Sequence, residues 1–324
     1  MSLTATRTAH PLPLRIGTRA SPLALWQARH FLGVIGGFCP MLRGDALFEE
    51  CALSTAGDRI LDRRLAEIGG KGLFAKEIHE ALLDGRVDFA VHSLKDLETE
   101  LPPGILLACT LKREDPRDAI VLGPRCGAPL PGDPLAALPI GAVIGTSSVR
   151  RQSQLRHARP DLRVETIRGN VQTRLRRLDS GEFDAIMLAL AGLKRLEMGH
   201  LAGVVLDAEE MVPAAGQGIV GVTVRACDKA LIDLLSAIED PASRVVADAE
   251  RALLAALDGS CRTPIGGHAR ILMDGNLYLT GLIARPDGSF LLRRRVSGAV
   301  EDAERIGREL GAALRRDCPA DLLW

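Results

Sequence analysis

The chain has 324 residues, which at roughly 150 residues per domain predicts two or three domains and excludes a small scaffold that depends on disulfides. Hydrophobic residues make up 47% and charged residues 25% of the sequence, a composition typical of globular rather than disordered chains. Lys plus Arg and Asp plus Glu both number 41, so the net charge of zero argues against a globally basic nucleic-acid or membrane-surface protein.

The cysteines and the N-terminus bear on the compartment. The seven cysteines form no CxxC pair, so neither a disulfide framework nor a metal site is indicated, and we expect a reducing environment. The first residues lack the apolar run of a signal peptide, and no stretch reaches the roughly 18 apolar residues of a membrane span. We therefore expect a cytoplasmic protein without a membrane partner.

From residue 14 onward, short apolar runs alternate with amphipathic segments, the pattern of βα units around a largely parallel sheet. A strand is expected over 14–17, and Ser21-Pro22 is expected to cap a helix that continues to Phe31. Further strands are expected over 48–53 and 87–91, with a helix over 75–83 between them. Polar residues therefore gather where the strands end.

A second βα series follows the turn-rich residues 123–139, and the run 219–224 is expected to return the chain to the first sheet. The last 85 residues predict a small α+β domain, because Asp-Gly pairs separate short strands between two helices. The predicted domains are residues 12–113 with 216–237, residues 114–215, and residues 238–324. The other strands and helices are expected over 140–144, 164–167, 170–178, 184–190, 241–257, 268–273, 277–284, 290–296 and 300–314.

Arginines cluster in the second series. Residues 150–177 include nine Arg and two acidic residues, a local net charge of +7. Pairing on solvated helix faces is the favoured interpretation for Arg156, Arg159 and Arg163. Arg150 and Arg151 instead follow a Ser/Thr turn at the expected end of a strand, where open α/β sheets bind ligands. Because guanidinium groups bind carboxylates in bidentate geometry, the cluster indicates a small polyanionic ligand. The scarcity of aromatic residues, 3%, disfavours nucleic acid.

Three other positions could carry chemistry. Asp96, beside Lys95 at a strand end, could stabilise a cation or transfer a proton, although such a pair is usually a surface turn. Cys261 lies in a Gly/Pro-bounded loop beside Arg262, which would favour its thiolate, although most free cysteines are inert. The glycine-rich segment around Lys71 lacks the spacing of a nucleotide P-loop and fits a mobile lid better.

Several motifs occur in a fixed order along the chain. They are GTRASPLALWQA at 17–28, GGKGLF at 69–74, VHSLKD at 91–96, GTSSVRRQ at 145–152, RGNVQTRL at 168–175, GQG at 216–218, and Cys261 followed by PIG at 264–266. This series resembles the porphobilinogen deaminase (hydroxymethylbilane synthase) family. The one departure noted near these motifs is Glu98, where relatives often have Pro.

The resemblance implies an α/β fold of two periplasmic-binding-protein-like (type II) βα domains, followed by a small C-terminal α+β domain with a three-stranded antiparallel sheet. It also implies a transferase of porphyrin (haem) biosynthesis that needs no metal. Four porphobilinogen molecules would be condensed, with loss of ammonia, onto a dipyrromethane cofactor that a thioether attaches to Cys261. Hydrolysis would then release hydroxymethylbilane.

The same resemblance assigns roles to individual residues. Asp96 matches the family's catalytic carboxylate, Lys71 is the lid candidate, and Gln217 belongs to a hinge or active-site loop. A monomer is also implied. The residues expected to bind the carboxylates of cofactor and substrate are Arg19, Ser21, Lys95, Thr146, Ser148, Arg150, Arg151, Arg168 and Arg174.

The alternative is a binding or sensor protein for a small polycarboxylate, because two βα domains around a cleft form a common ligand trap and a fold does not fix a function. Such a protein would need neither Cys261 nor Asp96.

Overall fold

The structure is a computed structural model that describes residues 11–59, 72–259 and 263–322. Two of the predicted site residues, Lys71 and Cys261, lie outside the described residues, so their roles stay predictions. No helix within the described ranges is long and apolar enough to cross a membrane.

The N-terminal part of the chain builds most of a first sheet. Its elements are β1 (Leu14–Arg19), α1 (Pro22–Phe38), β2 (Phe48–Leu53), α2 (Ala56–Arg59), α3 (Lys76–Leu83), β3 (Phe89–Ser93) and β4 (Ile105–Thr110). Helix α1 is two turns longer than predicted, because the buried side chain of Ile35 packs into the core of the first sheet with Phe31 and holds the later turns against it. Strand β4 was not predicted.

The next part of the chain builds the second sheet. Its elements are β5 (Asp118–Leu122), β6 (Val143–Gly145), α4 (Val149–Ala158), β7 (Arg163–Glu165), α5 (Val171–Asp179), β8 (Ala185–Ala189), α6 (Leu190–Arg195) and β9 (Val204–Val205). Strands β5 and β9 and helix α6 are additions to the prediction. Asn170 caps α5 by accepting a 2.9 Å bond from the backbone N–H of Thr173, as the sequence suggests for a helix that begins there.

The chain then returns to the first sheet as β10 (Val220–Arg225), followed by α7 (Lys229–Ser236). The strand order is β2-β1-β3-β10-β4 in the first sheet and β7-β6-β8-β5-β9 in the second. Strand β10 runs antiparallel to β3, and β5 runs antiparallel to β8. The predicted return to the first sheet is therefore confirmed. In each sheet, the strand that follows the crossing from the other sheet, β5 or β10, is antiparallel to its neighbours.

The C-terminal region forms a separate α+β layer. Its elements are α8 (Pro241–Ala256), β11 (Ile265–Ile271), β12 (Leu277–Ala284), β13 (Leu291–Gly298) and α9 (Ala303–Asp317). The strands form a three-stranded antiparallel sheet, and both helices pack against it. A Cβ at Gly307 would lie 2.2 Å from the carbonyl oxygen of Ala249, so the close approach of α9 to α8 requires glycine there.

The predicted fold class is confirmed, with two βα domains followed by a small α+β domain that contains a three-stranded antiparallel sheet. The exact domain bounds stay a prediction. The direction of β5 and β10 matters for function. Because both strands are antiparallel to their neighbours, their first residues lie at the edge of the sheet where β8 and β3 end. Both crossing segments, 111–117 and 206–219, therefore enter the sheets at the edge where ligands of open α/β sheets bind.

Candidate active site

Polar side chains from both sheets meet in a cleft at these strand ends. Arg19 is the last residue of β1, and Lys95 and Asp96 lie in the 3-10 turn that follows β3. From the second sheet, Arg168 follows β7 and donates a 2.9 Å hydrogen bond to the carbonyl of Gly57 in α2. This bond links the second sheet to a helix of the first. The structure therefore brings together side chains that are far apart in sequence.

Asp96 lies open to the cleft. Its side chain is 25% exposed, and Arg19 Nη1 lies 3.4 Å from its Oδ2. Arg19 is shared with a second carboxylate, because its Nε donates a 3.2 Å bond to Asp58. The guanidinium also lies over the ring of Phe74, with the carbon 4.3 Å from the ring centre. Asp96 is therefore held by a shared partner and keeps accepting capacity on the cleft side.

The opposite wall of the cleft is rich in guanidinium groups. Arg174, on α5, donates from Nε to the carbonyl oxygen of Gly169 at 2.8 Å. Burial, together with repulsion from Arg151, Arg168 and Arg19, lowers the pKa of Arg174 to about 10, although Asp96 opposes the shift. Positive charges that are held together at this cost make a site that attracts anions.

Arg150 and Arg151 differ from the expectation that they are open to a ligand. They are only 4% and 6% exposed, and both bind the fully buried carboxylate of Asp118, the first residue of β5. Arg150 Nη1 donates to Oδ2 at 2.8 Å, and Arg151 donates to Oδ1 from Nε at 3.0 Å and from Nη2 at 2.8 Å. Burial favours the neutral acid, but the two guanidinium groups hold the pKa of Asp118 well below its usual range. Sequence reasoning missed Asp118, because β5 was not predicted.

Lys95 is connected to the same carboxylate through one amide. Its Nζ donates a 3.2 Å bond to Oε1 of Gln217, and Gln217 Nε2 donates to Asp118 Oδ1 at 2.8 Å. Gln217 is fully buried and lies on the second crossing segment. The pKa of Lys95 is lowered to about 8, mainly by burial and also by Arg151 and Arg150, whereas Asp96 and Asp118 oppose the shift.

The three predicted hydroxyl residues shape the backbone at the cleft. Ser21 accepts a 3.3 Å bond from the backbone N–H of Ala24 and so caps α1, and Ser148 accepts one of 3.4 Å from Arg151 and so caps α4. Thr146 is buried, and its Oγ1 accepts a 3.2 Å bond from the backbone N–H of Ser148. These residues hold helix N-termini at the cleft, where backbone N–H groups favour an anion.

Two surface features have the shape of a ligand site. A shallow depression of about 420 Å³ lies along the edge strand β7, between Arg156, Arg163 and Asp287. A smaller cavity of about 90 Å³ is lined by Ser21 and Asp96, together with Arg19, Lys95 and Phe74. We place the site at the smaller cavity, because the buried charges and the strand ends converge there.

A histidine also lines the smaller cavity. His92 is buried, and its Nε2 lies 3.0 Å from Thr223 Oγ1, so the ring has a structural hydrogen-bonding role. Burial lowers its pKa to about 3. In the part of the chain that the structure describes, no group of three or more His, Cys, Asp or Glu could hold a metal ion.

The fold and the cleft define a class of protein in which two βα domains flank a cationic cleft that contains one accessible carboxylate. Residues 14–233 match the family model "Porphobilinogen deaminase, dipyromethane cofactor binding domain", and residues 245–316 match "Porphobilinogen deaminase, C-terminal domain". The chain belongs to the porphobilinogen deaminase family.

Relatives of known name agree with the family models. The porphobilinogen deaminase of Sorangium cellulosum is 49% identical, with 94% of this chain and 99% of that protein covered. That of Chromobacterium violaceum is 48% identical, with coverage of 92% and 93%. The chloroplastic enzyme of Oryza sativa subsp. japonica is 46% identical, with coverage of 92% and 83%. Among solved structures, an ancestral arginine-binding protein bound to arginine has a TM-score of 0.38 and 15% identity, and covers 69% of this chain and 89% of that chain.

The first family model names a dipyrromethane cofactor, and the described residues fit such a group. The guanidinium-rich wall supplies donors for carboxylates, and Asp96 supplies an acceptor for a pyrrole N–H. Arg150 Nε is buried without a hydrogen-bond partner among the described residues, so this wall includes one N–H donor that is not used within the protein. Arg150 also donates a 2.7 Å hydrogen bond to the carbonyl of Val212. Gly266 packs against the same residue, because a Cβ at Gly266 would lie 2.9 Å from the Val212 side chain. The described residues that follow Cys261 in the chain thus lie against the segment that Arg150 binds.

Proposed function

We propose that this protein is a hydroxymethylbilane synthase. It condenses four porphobilinogen molecules with loss of four ammonia molecules, and one water then enters the product as hydroxymethylbilane is released. The observation that carries the proposal is the accessible carboxylate of Asp96, which faces a wall of clustered arginines across one cleft. A binding protein needs the arginines but not the carboxylate.

The arginines bind the acetate and propionate groups of the growing chain. Guanidinium groups offer paired N–H donors that match carboxylate oxygens, and a buried setting strengthens these bonds. The proposed binding set is Arg19, Lys95, Arg168 and Arg174. The buried Arg150 and Arg151 add positive charge to this wall, and Ser21, Thr146 and Ser148 hold the helix N-termini. In this role, Gln217 fixes the crossing segment between the domains.

Asp96 acts on the pyrrole nitrogens. Its carboxylate accepts hydrogen bonds from the pyrrole N–H groups. It stabilises the positive charge that develops on these rings when ammonia leaves and when the next ring is joined. It also takes up the proton that is lost after the rings are joined. Arg19 keeps Asp96 oriented, because its Nη1 lies 3.4 Å from Oδ2 of the carboxylate. When bound, the dipyrromethane supplies the free pyrrole carbon to which the first substrate ring is joined.

Two measurements test the proposal. Purified protein should consume porphobilinogen and release one ammonia per molecule consumed. Intact mass under reducing, denaturing conditions should show a dipyrromethane adduct that is absent from Cys261→Ser. Protein that binds porphobilinogen without consuming it, and that carries no adduct, would be a polycarboxylate-binding protein instead.

The monomeric state and a cytoplasmic setting are part of the same proposal. Two ion pairs of the cleft, Arg19 with Asp96 and Arg150 with Asp118, join distant parts of the same chain, which supports a site built by one copy. Light scattering coupled to gel filtration checks the mass: a stable dimer that remains active on dilution would contradict the monomer.

A further inference from the structure

We propose that Asp118 is a positioning residue for this reaction: one buried carboxylate orients Arg150 and Arg151 and, through Gln217, the ammonium of Lys95. The inference rests on the proposed function and deepens it, because it says how the cationic side of the cleft is held in place. Asp118 belongs to none of the motifs by which the family was recognised.

The geometry makes Asp118 the common partner of three side chains from two separate elements. Its two oxygens accept hydrogen bonds from Arg150 and Arg151 of α4 and from Gln217 of the second crossing segment, at 2.8 to 3.0 Å. Its own strand, β5, follows the first crossing segment. Asp118 therefore joins both crossing segments to the helix that begins at the cleft.

The bonds fix direction as well as distance. Arg151 uses both Nε and Nη2 on Asp118 and donates from Nη1 to the carbonyl of Met187 at 3.0 Å, so its plane cannot rotate. Gln217 is held at its Nε2 by Asp118 and by the carbonyl of Pro116 at 2.6 Å. That leaves its Oε1 pointing to Lys95. One acid thereby sets the orientation of an amide, and the amide sets the position of the ammonium.

Desolvation explains why an acid is required. Two guanidinium groups that are almost fully buried would repel each other without a counter-charge, and an unpaired buried charge is strongly unfavourable. The Lys95 ammonium interacts electrostatically with Arg150 and Arg151, which lower its pKa, and with Asp96 and Asp118, which raise it. Removal of the Asp118 charge would leave Asp96 as the only acid among these four neighbours. The change would therefore shift the Lys95 titration to lower pH.

The chain offers a matched control at the other edge of the first sheet. Asp88 is 4% exposed and, like Asp118, lies between two arginines: Arg15 Nε donates to it at 3.3 Å and Arg225 Nη2 at 3.4 Å. It precedes β3, so it lies at the edge opposite the cleft. Asp88→Asn and Asp118→Asn each remove one buried negative charge that two arginines share, but only the second lies at the site.

The experiment compares these variants as adduct-bearing enzymes, with the adduct verified by intact mass. For Asp118→Asn we expect the KM for porphobilinogen to rise at least about tenfold, since hydrogen bonds to charged groups are worth roughly that factor or more. The alkaline limb of the profile of kcat/KM against pH should also move to lower pH. Asp118→Glu, which restores the charge, should recover part of the KM. Asp88→Asn should lower the melting temperature and leave KM and the pH profile unchanged.

A second variant decides the matter if Asp118→Asn does not fold. Gln217→Met keeps the side-chain volume and the Asp118 charge but removes the hydrogen bond to Lys95. We expect KM to rise about threefold or more, and the alkaline limb of kcat/KM against pH to move to lower pH. Unchanged KM and pH profiles in folded Asp118→Asn, or in Gln217→Met if only that variant folds, would overturn the inference while the wild-type activity stands. Absence of porphobilinogen consumption by the wild type would instead overturn the proposed function.

Discussion

The two walls of the cleft are built from sheets of the same strand order but carry different chemistry. The wall from the first sheet presents the carboxylate of Asp96 and the ammonium of Lys95. Arg19 lies between Asp96 and Asp58. The wall from the second sheet presents arginines, and among its site residues the acid is fully buried at Asp118. The same scaffold thus separates two tasks: the first wall acts on pyrrole nitrogens, and the second binds carboxylates.

Neutralising the acid of the first wall should have the largest effect. Asp96→Asn keeps the size of the side chain and can still accept a hydrogen bond, but it loses the charge that stabilises a cationic pyrrole. We expect kcat to fall by about 10² to 10⁴, with the melting temperature nearly unchanged and the adduct retained. Steady-state assays with intact mass check this. A kcat within about threefold of the wild type would remove Asp96 from the chemistry.

A change in the second wall should act on binding instead. Arg174→Leu removes a cleft guanidinium, and we expect KM to rise about tenfold with a smaller change in kcat. Arg177→Leu on the same helix is the matched control, because that side chain pairs with Glu182 at the surface. Equal effects of the two substitutions on KM would mean that the cluster contributes to helix stability rather than to ligand binding.

The ammonium of Lys95 gives the first wall a pH limit. Its pKa is lowered to about 8, so the group is charged below that pH and neutral above it. We expect KM to rise between pH 8 and 9 as the charge is lost. Lys95→Arg, whose guanidinium stays charged in this range, should keep a flat KM there even if its absolute value is higher. A rise in KM of the same size in Lys95→Arg would mean that another group causes the pH dependence.

A substitution outside both walls should leave catalysis unchanged. Gly307→Ala in α9 forces a methyl group against the backbone of α8, where overpacking costs about 1 to 3 kcal/mol of folding free energy. Denaturant unfolding should show that loss, while KM and kcat of the folded enzyme stay within about twofold of the wild type. A marked change in kcat would show that the C-terminal layer is coupled to the walls.

Much of the first wall could be predicted from local sequence, because the polar residues Lys95 and Asp96 directly follow an apolar run that predicts a strand. The position of Arg150 could be predicted in the same way, from the Ser/Thr turn before it. Its environment could not, because its partner Asp118 lies 32 residues earlier, at the start of a strand that was not predicted. Local sequence patterns predict where a residue lies in the fold, but not which distant charged residue its side chain pairs with.

The same reasoning accounts for the errors in the elements. Strand β9 has two residues and no periodicity to detect, and β4 lies between two of the motifs. Helix α1 extends past Phe31 although three glycines follow, because tertiary packing of Ile35 overrides their low helix propensity. These segments are specified by contacts with distant parts of the chain.

The strand order of the first sheet also has a consequence for synthesis on the ribosome. Within the described residues, β4 pairs only with β10, which is made more than a hundred residues later. The second sheet, from β5 to β9, is continuous in the chain and can pair completely before β10 emerges. The nascent chain therefore holds an unpaired β4 while its second domain forms, and a delay in translation between 206 and 219 would prolong the exposure of that strand to chaperones and to aggregation.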